Sequence, residues 1–299
     1  MDAKECQNCA MPITRILSLE NSGVIKLVDE QFLYVGSNGI LRKYNLNDMS
    51  LAAHITIHDV KKKSIYSMLP FQIFDDYIFV PYFRDLHVVA KKDLQLLFTV
   101  KLGENVSSDV CGVIDFKYPL AYVNIRNGRI DLLDIITKKS TRIEISDSSN
   151  WSRCVLGNRI YYSTTKGELL ELDRDTLQVL RSVQLTKKMN IYSVVHFNNM
   201  LYTTAQRAFR VVDINTFEIV QERHRVFANT EANIIGIHDN ALVVAENDKI
   251  AVFDAETLQL RERFEFPTGY RHMRYAILSG DTIFGSDHHG IYSTILNEL

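Results

Sequence analysis

The chain has 299 residues, is 46% hydrophobic and 23% charged, and carries a formal charge of −2 at pH 7 with a pI near 6.5. A chain this long and apolar, with 14 Tyr and 15 Phe, has ample material for a buried core, which excludes intrinsic disorder. The charge balance supplies no global attraction for nucleic acid or anionic membrane, and no run reaches the roughly 18 apolar residues of a membrane span.

Taken in chain order, Met1 to Pro12 lacks an apolar run of signal-peptide length, so residues 1–12 are expected to be a flexible tail on a cytoplasmic protein, the nucleus remaining open as a location. Residues 13–299 are expected to form a single domain. Cys6 and Cys9 make one Cys-x-x-Cys, half of a zinc site without its second ligand pair. Cys111 and Cys154 stand in apolar, strand-like stretches and are expected to be buried thiols. No metal or cofactor is expected. Thr14-Arg-Ile-Leu-Ser-Leu19 reads as an isolated strand ahead of a repeating pattern.

That pattern consists of β-branched and aromatic runs beginning at Leu33, Ile78, Leu120, Ile160, Leu201, Leu242 and Ile283, spaced 40 to 45 residues apart. Within a unit the periodicity is near two. Ile160-Tyr161-Tyr162 leads through a Thr-Lys-Gly turn to Leu169-Leu170-Glu171-Leu172, and Val179 to Leu185 follows as an outer strand. Units of this length built from short strands are propeller blades. The expected fold is therefore all-β, a seven-bladed β-propeller with four-stranded blades.

A second element falls in register: Asp134-Ile-Ile-Thr137, Asp173-Arg-Asp-Thr176, Asp213-Ile-Asn-Thr216 and Asp254-Ala-Glu-Thr257. The Asp can accept a bond from the backbone N–H two residues on, and the Thr hydroxyl can bond back to the chain, fixing a tight turn after the third strand. The first unit offers Asn45 and Asp48 at these places, and the second departs with Ala90 and Asp93. The seventh unit stops after its third strand, while Thr14 to Leu19 matches outer strands such as Leu180 to Leu185. Pairing the two closes the ring like a clasp and hides an unpaired edge.

These turns resemble the Asp-x-x-Thr turns of quinoprotein-like and YVTN-like propellers, and the spacing is similar to that of WD40 repeats, over nearly the whole chain. Gly-His and Trp-Asp dipeptides are absent, and there is a single Trp. The resemblance implies that the loops between blades, and those joining second to third strands, share one face around a central channel where partners bind. Carried onto this chain, that face collects Lys61, Lys62, Lys63, Tyr66, Arg84, Arg126, Trp151, Lys187, Lys188, Tyr192, Arg207, Tyr270 and Arg271. Lys61-Lys-Lys63 precedes Tyr66 as Lys187-Lys188 precedes Tyr192. Lysines beside an aromatic suit a protein or peptide segment, acidic or phosphorylated, against a bland reading of solvated lysines and core tyrosines.

His288-His289 lies in a turn without a companion ligand set. Gly-x-Ser-x-Gly, Gly-x-x-x-x-Gly-Lys-Ser/Thr and Gly-x-Gly-x-x-Gly are all missing. The leading expectation is a non-catalytic interaction scaffold. Its alternative is a propeller enzyme, a lyase or lactonase-like hydrolase, with acids and histidines converging in the central channel.

Overall fold

The structure is a computed structural model that describes residues 14–18, 24–29, 31–58, 70–102, 110–125, 128–145, 152–187, 189–227, 231–246, 249–265, 275–286 and 290–296. Strand β1 (Thr14–Ser18) is followed by six complete blades. Blade 1 is β2 to β5 (Val24–Asp29, Phe32–Ser37, Ile40–Asn45, Leu51–Thr56) and blade 2 is β6 to β9 (Gln72–Phe74, Tyr77–Tyr82, Asp85–Ala90, Leu96–Lys101). Blade 3 is β10 to β13 (Val110–Lys117, Leu120–Ile125, Arg129–Asp134, Lys139–Glu144) and blade 4 is β14 to β17 (Arg153–Leu156, Arg159–Ser163, Glu168–Asp173, Val179–Gln184). Blade 5 is β18 to β21 (Ser193–Phe197, Met200–Ala205, Ala208–Asp213, Ile219–Arg223) and blade 6 is β22 to β25 (Asn233–His238, Ala241–Glu246, Lys249–Asp254, Leu260–Glu265). Blade 7 supplies only β26 (Tyr275–Ser279), β27 (Thr282–Ser286) and β28 (Gly290–Ile295), and β1 completes it.

Each blade is an antiparallel meander with its strands hydrogen-bonded in chain order. The middle strands are buried on both faces because neighbouring blades cover them; every residue of β23 is buried. This is why they read as continuous apolar runs. Fourth strands alternate between exposed and half-buried positions, as in β17 and β9, because their outer side meets water.

The apolar cores lie between blades. One cluster joins Tyr34, Leu41, Ile78 and Val80 of blades 1 and 2, and another joins Phe209 and Val211 of blade 5 to Leu242 and Phe253 of blade 6. At the closure, Ile16 and Leu17 of β1 pack with Ile25, Leu33 and Val35 of blade 1 and Ile291 of blade 7. The pairing of β1 with β28 runs Thr14↔Ser293, Arg15↔Tyr292, Leu17↔Ile291 and Ser18↔Gly290. The N-terminal strand is thus the fourth strand of the last blade, as the sequence implied. The tail at residues 1–12 lies outside the described residues.

The Asp-x-x-Thr segments close the third strands. Asp173 Oδ1 accepts bonds from the Asp175 N–H (3.1 Å), the Thr176 N–H (2.9 Å) and the Thr176 hydroxyl (3.0 Å). Asp134 and Asp213 accept the same two backbone bonds, and Asp254 holds the Thr257 N–H and hydroxyl. In blade 1 the work is divided, Asp48 taking the Ser50 N–H while Asn45 donates to the Ser50 hydroxyl.

The residue after each Thr adopts the left-handed conformation: Lys138, Leu177, Phe217 and Leu258 have φ of 55 to 59°. Each returns its N–H to the carbonyl of the turn's first residue at 2.8 to 2.9 Å. A non-glycine residue there is strained by about 1 kcal/mol or more. The strain is offset by burial of Leu177, Phe217 and Leu258 between blades, at 5% exposure or less.

Two outcomes follow from this architecture. Removing residues 1–20 strips blade 7 of its outer strand and core cover; at about 1 kcal/mol per lost hydrogen bond the melting temperature should fall by roughly 10 °C or more, and an unchanged value would disprove the clasp. For Leu258, alanine should cost about 2 to 5 kcal/mol in urea unfolding, and glycine should cost no more than alanine, because it relaxes the left-handed backbone while creating the same void.

Candidate binding face

An even number of strands per blade puts the inter-blade connections and the second-to-third-strand turns at one end of the ring. The first-to-second and third-to-fourth turns lie at the other. The two loop sets of the first end are tied together: Ile57 donates to the Gly39 carbonyl at 2.8 Å, Leu102 to Arg84 at 2.9 Å, Leu185 to Gly167 at 2.9 Å and Val226 to Arg207 at 3.0 Å. Gly167, at φ +81°, has its Cα against Thr186, so closely that a Cβ there would collide with the Thr186 hydroxyl and carbonyl.

Four of the sequence-predicted residues are described, and all four stand at this end. Arg84 is half-buried in the β7–β8 turn, and Arg207 is exposed in the β19–β20 turn, where its Nε donates to the Phe227 carbonyl at 2.7 Å. Lys187 is exposed after β17, and Tyr192 is half-buried ahead of β18. Burial, and then the Glu231 carboxylate, push the Tyr192 phenol above its ordinary pKa, so the basic rim is interrupted by an acid. Lys61, Lys62, Lys63, Tyr66, Arg126, Trp151, Lys188, Tyr270 and Arg271 lie outside the described residues, as do Cys6, Cys9, His288 and His289.

One group at this end escaped the sequence reading. His58, just past β5, stacks on Tyr82 with ring centroids 3.8 Å apart and planes 22° from parallel, and Tyr82 meets Phe83 edge-on at 4.7 Å. Phe83 occupies the β7–β8 turn at φ 51° and is 63% exposed, beside Arg84. The available signal was a phenylalanine at a turn position that four of the other units fill with Asn-Gly, Lys-Gly or Gln-Arg. Nothing in the core explains a solvent-facing phenylalanine in a left-handed conformation, and an aromatic next to an arginine is the composition of binding hot spots.

Among the described residues, no three His, Cys, Asp or Glu side chains stand together as a metal site. Cys111 is buried and Cys154 half-buried, both as free thiols, and burial pushes the Cys154 thiol up. No helix of the described residues is long and apolar enough to cross a membrane.

Seven four-stranded blades closed by a terminal strand define a protein of the β-propeller class. The fold is similar to the WD40 domain of Neurospora crassa Pan2, at a TM-score of 0.73 and 12% identity over 96% of each chain. It is also similar to the computationally designed Ika8 protein, at 0.66 and 13% over 94% of this chain and 98% of that one. BamB from Moraxella catarrhalis matches at 0.63 and 12%, over 88% and 81% respectively. No protein-family model and no curated protein matches the sequence. The chain thus shares the β-propeller fold of these structures.

His58 makes this face sensitive to acid. Burial, and then the nearby charge of His87, hold its imidazole below the ordinary 6.5, and its buried Nδ1 has no hydrogen-bond partner among the described residues. The unfolded chain therefore takes up a proton that the folded chain resists, so the stabilising contribution is complete above about pH 6.5 and is lost as pH falls through the folded value. Urea midpoints should drop between pH 7.5 and 5, and His58→Gln should flatten that slope; an identical slope in the variant would disconnect His58 from it.

Proposed function

We propose that this protein is a non-catalytic, cytoplasmic scaffold that binds an acidic or phosphorylated peptide segment on the inter-blade loop face. The observation that carries the reading is the exposed Phe83, set edge-on against Tyr82, which itself stacks on His58, and flanked by Arg84. A phenylalanine braced by a neighbouring ring has few rotamers to lose on binding, so its contact area converts efficiently into affinity. Arg84 offers a forked donor to a carboxylate or phosphate. Lys61, Lys62 and Lys63 follow His58 by three to five residues in the chain and give that segment like charge. Arg207, Lys187 and Tyr192 extend the face toward blades 4 and 5. Similarity to the Pan2 WD40 domain and to BamB is compatible with a protein-binding role and identifies no ligand.

A peptide array displaying acidic, phosphorylated and neutral sequences tests this. The wild type should select acidic or phosphorylated peptides, and both Phe83→Ala and a Lys61, Lys62, Lys63 to Glu triple variant should weaken the selected ones by about tenfold or more, the loss expected of one hot-spot residue. Selection of neutral peptides, or affinities unchanged in both variants, would remove the loop face from consideration.

A further inference from the structure

The clefts between blades on the opposite face, below the third-to-fourth-strand turns, are filled in a repeating way. Between blades 1 and 2, Lys43 of β4 sends its Nζ to the carbonyls of Lys91 and Lys92, at 3.5 and 3.1 Å. These are the first two residues after β8. Between blades 4 and 5, Arg181 of β17 donates to the equivalent carbonyls, Ile214 at 2.8 Å and Asn215 at 2.6 Å, and is held by the buried Glu171 carboxylate opposite it in the register. In both cases a cation from one blade caps the turn of the next. Phe98 occupies this place between blades 2 and 3, under the Lys138 ammonium, and between blades 3 and 4 the turn's own Arg174 folds back onto Asp115.

Between blades 5 and 6 the register pair equivalent to Glu171 and Arg181 is Val211 and Gln221. Neither can supply a cation, and the cleft holds a cavity of about 390 Å³ lined by both. Across it stand Ala255 and Glu256, the first two residues after β24, whose carbonyls receive no donor among the described residues. Phe197, Met200 and Tyr202 form an apolar wall. Asp254 is already paired with Arg261 at 2.7 Å, whereas the exposed Glu256 carboxylate has no ion partner among the described residues. The lining carries two carboxylates, Asp254 and Glu256, against the one guanidinium of Arg261, and after burial itself these two carboxylates raise the Tyr202 phenol.

We infer that this cleft is a docking pocket for an arginine side chain of a partner polypeptide, its guanidinium donating to the Ala255 and Glu256 carbonyls where Arg181 serves the preceding cleft from within. The planar fork matches two adjacent carbonyls and a carboxylate, and the aliphatic stem lies against Met200 and Phe197 as such stems do on apolar walls. Val220, 55% exposed at the mouth, would meet an apolar neighbour of that arginine. The pocket is on the opposite face from Phe83 and does not depend on the loop-face reading.

The test is calorimetry on the full chain with three acetylated, amidated pentapeptides, Gly-Leu-Arg-Val-Gly and its lysine and citrulline counterparts. The arginine peptide should bind, and uncharged citrulline should bind about tenfold more weakly or worse, as expected on losing a charge-assisted bond. A V211E/Q221R double variant, which installs the blade 4 filling, should abolish binding, and Glu256→Gln, on an exposed turn that tolerates it, should weaken binding severalfold. Phe83→Ala should leave it unchanged. Equal binding of the citrulline or lysine peptide, survival of binding in V211E/Q221R, or no binding at millimolar peptide would each overturn the inference.

Discussion

Every blade of this ring is apolar on both faces and can satisfy neither alone. A residue such as Val243, fully buried in β23, faces one neighbouring blade while Leu242 and Val244 face the other. Hydrophobic burial is non-directional, but the strand pleat sends successive side chains to opposite faces, and together they demand a blade on each side of every blade. Only a closed ring meets that demand. The constraint reaches the first strand: Ile16 and Leu17 complete the core between blades 7 and 1 and cover an edge that would otherwise expose a row of unpaired backbone groups.

Apolar packing sets the blades side by side, and polar contacts fix how they sit. Arg153 of β14 donates to the Val113 and Ile114 carbonyls of β10 at 2.7 and 3.0 Å, and Tyr162 donates to Asn124 at 2.8 Å. Ser193 accepts the Ile234 N–H at 2.7 Å. Such groups would be costly to bury unpaired, so they favour one relative position of neighbouring blades over the sliding that a uniformly apolar interface permits. The left-handed turns act likewise. Leu177, Phe217 and Leu258 accept a strained backbone because each side chain is then aimed into the seam between blades.

The middle strands and their turns were legible in the sequence because their causes are local. An apolar run buried on both faces, followed by Asp-x-x-Thr, is written in consecutive residues, and so was the match between Thr14 to Leu19 and the other outer strands. The first strands were poorly legible: β6 is only Gln72–Phe74, and β14 is Arg153–Leu156, too short to show a period. The leucine or phenylalanine after three of the four Thr residues was visible in the sequence, but its significance depends on a backbone angle. Phe83 was concealed inside the run Ile78 to Arg84 and becomes conspicuous only when the turn places it in water.

The cleft between blades 5 and 6 was illegible for a deeper reason. It arises from a difference between repeats, Val211 and Gln221 where another blade has Glu171 and Arg181, and that difference matters only if one knows that these positions face the next blade's turn. In a ring of equivalent seams, the fold holds the backbone carbonyls of each turn in place whether or not a side chain fills the space beneath them. Filling the space from within gives a structural seam. Leaving it open keeps the same acceptors pre-organised in a partly apolar wall, which is how a ligand site is ordinarily built, and the cost of aligning them has been met by the turn itself. Repetition thus lets one seam acquire a separate role without altering the strands that define the ring.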